Sequence, residues 1–71
     1  MKKYVIAFEK TETGYSAYSP DLDGCVSTGR TLEEVEANMR EAIRFHLNGM
    51  RLEGLPVPEP HTRSAHVEVP A

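Results

Sequence analysis

The stretch from Thr31 to Gly54 constrains this chain most, because its pattern fits a long, capped, amphipathic helix and little else. Thr31-Leu32-Glu33-Glu34 is a capping box: the Thr31 hydroxyl can accept from the Glu34 amide while the Glu34 carboxylate reaches back. Glu33, Glu34 and Glu36 fall at the positive end of the helix dipole, and Arg40, Arg44 and Arg51 fall later, toward its negative end. Leu32, Val35, Met39, Ala42, Ile43, Leu47 and Met50 recur at helical spacing. The pattern predicts a helix from Leu32 to about Leu52, with Glu36→Arg40 and Glu41→Arg44 spaced for weak surface pairs. Gly49 is a flaw of about 1 kcal/mol relative to Ala; it reads as an early end or as a close backbone approach. Gly54 reads as the residue just past the helix.

What precedes the helix reads as strands. Tyr4-Val5-Ile6-Ala7-Phe8 is β-branched and aromatic without alternation, which suits a central strand or one covered in an oligomer. Thr11-Glu12-Thr13-Gly14 is a hairpin turn, with Gly14 free to take positive φ. Tyr15-Ser16-Ala17-Tyr18-Ser19 places Tyr15 and Ala17 on one face and Tyr18 on the other. Pro20-Asp21-Leu22-Asp23-Gly24 is a tight connection and Cys25-Val26-Ser27-Thr28 a short third strand. Links this short make the three strands antiparallel neighbours. After the helix, Leu55-Pro56-Val57-Pro58-Glu59-Pro60 cannot be helical and reads as an extended surface strap anchored by Leu55 and Val57. Ala65-His66-Val67-Glu68-Val69 alternates and reads as a fourth strand. The fold class is α+β: a three-stranded antiparallel meander, one long helix, a Pro-rich strap and a last strand, forming one domain over residues 1–71.

Seventy-one residues bury only about 60% of the surface exposed in the unfolded chain. Such domains are commonly stapled or paired, and Cys25, the only cysteine, cannot form an internal disulfide. We therefore expect homo-oligomerisation, as a homodimer or homotetramer, with an exposed strand edge as the seam. The lone thiol and the absence of a signal-peptide core or membrane-length apolar run place the chain in the cytoplasm, away from membranes. The net charge of -3 without a Lys/Arg run argues against direct nucleic-acid binding and suits a basic partner.

No residue set reads as catalytic. His46 lies on the apolar stripe, His61 and His66 read as solvated, and no Cys or His stands beside them at metal-ligand spacing. A Cys25–His pair would lack a helix start to lower the thiol pKa and a third group to orient the base. Glu9, Asp21 and Asp23, with a helix Glu, form an imaginable two-metal cluster. Asp21 and Asp23, however, suit the turn for backbone reasons, and the helix acids are explained by capping. We expect no cofactor, no metal and no enzymatic activity.

The ordered set Tyr15–Ser19, Pro20-Asp21-Leu22-Asp23-Gly24-Cys25, Gly29-Arg30-Thr31-Leu32-Glu33-Glu34 and Leu55–Pro60 resembles the HicB family of antitoxin domains, with Asp23 where the family often has Pro. The resemblance implies a β-β-β-α-β fold described as a degraded ribonuclease H core. It also implies homo-oligomerisation and masking of a small basic HicA-type toxin that cleaves mRNA. Many members add a C-terminal DNA-binding domain; with the sequence ending at Ala71, the expectation is a stand-alone form without it. Asp21, Asp23 and Glu59 are the acidic residues expected to meet the partner. The alternatives are an orphan oligomeric domain that binds another protein or a small ligand, and a residual metal-dependent nuclease.

Overall fold

The helix forms where its caps put it. The computed structural model describes residues 1–71, with strands β1 (Ala7–Lys10), β2 (Tyr15–Tyr18) and β3 (Val26–Gly29) followed by helix α1 (Leu32–Leu52). Thr31 is the N-cap, its hydroxyl accepting from the Glu34 amide at 3.0 Å. The Glu34 carboxylate accepts from the Arg30 amide at 3.3 Å, one residue before the box would place it. At the other end Gly54 takes φ 72°. Its amide donates to the Arg51 carbonyl, and the Leu55 amide donates to that of Met50, the paired bonds of a Schellman stop. Gly49 neither ends the helix nor meets another backbone; a Cβ there would find open space.

The strands form one antiparallel sheet in the order β1-β2-β3. Ala7 pairs with Tyr18 and Lys10 with Tyr15; Tyr18 pairs with Val26 and Tyr15 with Gly29. The first strand is thus an edge strand, not a central one, and it starts three residues later than its composition suggests. The register explains why. Continued backwards, it would set Val5 against Pro20, which has no amide to give, and Tyr4 against Asp21 in the turn. Phe8 shares the helix-facing side with Ala17, yet it is 40% exposed because the helix covers β2 and β3 rather than the edge.

Gly14 does not use positive φ; only Gly24 and Gly54 do. It is buried because a Cβ there would overlap the Gly29 carbonyl oxygen and crowd Arg30 Cα at 2.8 Å. Gly29 is tight for a related reason: its missing side chain lets the first turn of α1 approach, with Val35 backbone nitrogen 2.6 Å from where a Cβ would sit.

The core is small. Ala17, Leu22, Cys25, Val35 and Met39 are buried, with Tyr4, Ile6, Tyr15, Ala42, Ile43 and Leu47 packed partly against them. Leu22 points into this core from the turn after β2, which makes that turn part of the hydrophobic structure. Residues 65–69 do not form the fourth strand. They pair with neither of the free sheet edges, those of β1 and β3. Residues 63–71 are exposed. Replacing Leu22 by Ala should cost about 2–5 kcal/mol, whereas Gly49→Ala should add about 1 kcal/mol; urea unfolding of each variant reads both.

Candidate functional site

The last nineteen residues contain no helix or strand, so what fixes them is side-chain chemistry. The main tie is Asp21. Its side chain is fully enclosed, and its carboxylate accepts from the backbone amides of His61 at 2.9 Å and Thr62 at 3.1 Å. The Thr62 hydroxyl donates to the other carboxylate oxygen at 2.5 Å, and the His61 ring stands 3.1 Å from that same oxygen. A second tie runs from the Tyr4 hydroxyl to the Pro58 carbonyl at 2.6 Å, and a third from Lys2 to Glu59 at 2.6 Å. Of the two expected apolar anchors, Val57 is half-buried and Leu55 is 48% exposed, so the polar bonds share the hold on the strap with Val57.

Asp21 adopts this role because of where the turn puts it. Leu22 is buried beside it, Gly24 turns with φ 74°, and the backbone bonds Leu22 to Ser19 and Cys25 to Leu22 close the loop. The Thr62 hydroxyl, and after it the two amides and the His61 charge, hold the Asp21 carboxyl below its ordinary value of 3.8, against the opposing push of burial. His61, expected to be simply solvated, has an exposed ring facing Asp21 and a backbone committed to it.

Held in this way, the strap lies between two grooves that run along α1. The first lies between the Pro20–Val26 turn and the helix, has a volume of about 900 Å³, and is lined by Asp23, Glu53, Phe45, Met50 and Leu55 among others, with no Lys or Arg. Phe45 is 83% exposed there and Val26 65%. Large exposed apolar side chains rimmed by charge mark surfaces that meet other molecules. The second groove lies on the far side of the strap and is lined by Lys2, Glu59 and several arginines. Of the three acidic residues expected to meet a partner, Asp21 and Asp23 therefore border the first groove, Asp21 with its carboxylate already occupied by the strap. Glu59 borders the second. Phe45, the most exposed aromatic, was absent from the sequence-based set. Its off-stripe position on the helix, beside His46, was the available signal.

The catalytic alternatives find no matching geometry. Cys25 is buried, and burial raises its thiol pKa. No three His, Cys, Asp or Glu side chains converge as a metal site would need. His46 is half-buried on the helix and His66 exposed. No helix is long and apolar enough to cross a membrane.

A meander backed by one helix, with a latched Pro-rich strap and a groove beside its turn, defines a small α+β domain. A family model described as a HicB-like antitoxin of bacterial toxin–antitoxin systems matches residues 4–71. This chain belongs to that HicB-like family. It is 37% identical over 67 residues to an uncharacterised 14.9 kDa protein of Haemophilus phage HP1, covering 94% of this chain and 50% of the phage protein. It is 45% identical over 47 residues to a UPF0150 protein of Helicobacter pylori, covering 66% of this chain and 65% of that one. Among solved structures, it superimposes on a chain of a HicA3 and HicB3 toxin–antitoxin complex with a TM-score of 0.73 at 37% identity. The match covers 84% of this chain and 70% of that chain. A crystal structure of antitoxin HicB3 gives 0.70 at 38% identity, covering 80% of this chain and 42% of that one. The chain thus spans about half the length of the phage relative and less than half of the HicB3 chain.

Because folding lowers the Asp21 pKa, the latch contributes fully above the ordinary carboxylate value of 3.8 and is lost as pH falls through the lower folded-state value. Acid titration followed by NMR should shift the His61 and Thr62 amides together below that value. Asp21→Asn should remove their exchange protection at neutral pH, while helix amides stay protected; unchanged His61 and Thr62 protection would contradict the latch.

Proposed function

We propose that this chain is an antitoxin-type protein-binding module that neutralises a small basic HicA-type mRNA-cleaving toxin by seating it in the groove between the Pro20–Val26 turn and α1. The observation that carries this reading is the exposed Phe45 ring set among Asp23, Glu53 and Leu55 in a groove without a single Lys or Arg. An aromatic anchor within an acidic rim matches a basic partner in two ways. The ring supplies buried area at the centre, and the rim charges steer the encounter and fix its register. The match to a chain of a HicA3 and HicB3 complex supports the partner class.

In this reading Asp23 contacts the toxin directly. Asp21 acts through the strap, keeping Leu55, Pro58 and His61 in place as one wall of the groove. Glu59 fixes the same strap from its other side through Lys2. The module works by occlusion, without catalysis, metal or cofactor, in the reducing cytoplasm that suits its lone thiol. It self-associates through the free outer edge of β1, whose backbone from Ala7 to Lys10 is paired on one side only.

Co-expression with a HicA-type toxin should restore growth and yield a complex on pull-down. Phe45→Glu should weaken capture by about 2 kcal/mol or more, the scale of a central aromatic anchor. Asp23→Lys should mainly slow association and blunt its salt dependence. Failure of the wild-type chain to capture or neutralise such a toxin would remove this reading in favour of another protein partner.

A further inference from the structure

The cations scattered along the sequence are not scattered in the fold. The groove on the far side of the strap, about 1500 Å³, is lined by Lys2, Lys3, Arg40, Arg44, Arg51 and Arg63, six of the eight Lys and Arg residues of the chain. Only Glu36 and Glu59, two of the eleven Asp and Glu residues, line it with them. The rest of the chain keeps two cations and nine carboxylates, Asp21 among them buried. A protein of net charge -3 thus carries a locally positive groove, and the causes are local. Arg40, Arg44 and Arg51 share one helix face by their spacing, Lys2 and Lys3 arrive with the segment before β1, and Arg63 follows the latched Thr62.

Within the groove, Lys2 pairs with Glu59, and Arg40 with Glu36 at 3.4 Å; Arg44 pairs with Glu41 at 3.3 Å. Lys3, Arg51 and Arg63 have no ion pair. The floor between the two rims is apolar: Tyr4, Ile6, Ile43 and Leu47, all half-buried. From these features we infer that the basic groove is a second docking surface, separate from the toxin-facing one, for an acidic segment of a protein partner in which carboxylates alternate with aliphatic side chains.

Charge complementarity sets the sign of the occupant, and the floor sets its class. Phosphate backbones need cations and, for single strands, ring faces on which bases stack. Here the rings are Tyr4, half-buried with its hydroxyl tied to Pro58, and the His61 imidazole, set against Asp21, and two carboxylates stand among the cations. A peptide puts aliphatic side chains on the floor and carboxylates on the rims. The chain supplies its own example: the extended strap lays Glu59 on Lys2 at 2.6 Å. Arg40 to Arg51 spans about 16 Å along the helix, which about five extended residues cover at about 3.3 Å each.

The test is fluorescence anisotropy of the full chain with a fluorescein-labelled decapeptide of alternating Glu and Leu. Binding should appear at low salt, weaken as salt screens the rims, and be absent for the Gln–Leu counterpart. Lys3→Glu combined with Arg51→Glu should weaken it about tenfold or more with toxin capture unchanged, although loss of Arg51 from the last turn of the helix lowers the melting temperature slightly. Arg63→Glu alone should weaken it less and in the same direction. Absence of binding, or binding indifferent to these reversals, overturns the inference. So does tighter binding of a labelled single-stranded oligonucleotide, or a self-association that the same reversals abolish. Toxin capture reads the other groove, so either surface can fail without the other.

Discussion

The Asp21 carboxylate organises the half of the molecule that secondary structure does not. It is enclosed, and it gathers the backbone of His61, the backbone and hydroxyl of Thr62 and the His61 ring onto one turn. A buried carboxylate is costly unless its acceptor sites are used, and here they are used by a segment some forty residues away. The arrangement makes local and distant order mutually dependent. Leu22 holds the turn in the core, the turn presents Asp21, and Asp21 holds the strap. With only eight of 71 residues buried, the fold has little apolar surplus, and such polar ties decide where the tail lies.

Where the tail lies decides what the surface offers. The strap is a partition. On one side it completes a groove of Asp23, Glu53 and exposed Phe45; on the other it borders the cluster of arginines and N-terminal lysines. His61 lines both. A uniform acidic surface would offer basic partners no preferred orientation. Separating opposite charges across one strap gives each face a sign. The same economy appears in the glycines, where Gly14 and Gly29 are required by close approach rather than by turn geometry.

The regular elements were legible because their causes are local. The capping box, the apolar period and Gly54 gave the helix its observed bounds, and the short turns gave an antiparallel meander. The errors share a cause too: each depended on a partner distant in sequence. Tyr4 to Ile6 look like a strand but face Pro20 and the turn; Ala65 to Val69 alternate but pair with neither free edge of the sheet. Asp21 reads as a turn residue, which it is, and nothing near it announces Thr62. Net charge, summed over the chain, concealed the positive groove because Arg40, Arg51, Lys3 and Arg63 meet only after folding. The family resemblance supplied the scaffold from an ordered set of short segments, while the groove became visible only in three dimensions.

The central claim is that the acidic, apolar groove beside the latched turn is the face that holds the toxin. Hydrogen–deuterium exchange of the full chain, free and in complex with a small basic HicA-type toxin, addresses it most directly. The account predicts new protection at residues 20–26 and 45–53, with the amides of residues 2–6 and of Arg63 unchanged. Protection confined to the basic groove or to the β1 edge would contradict it.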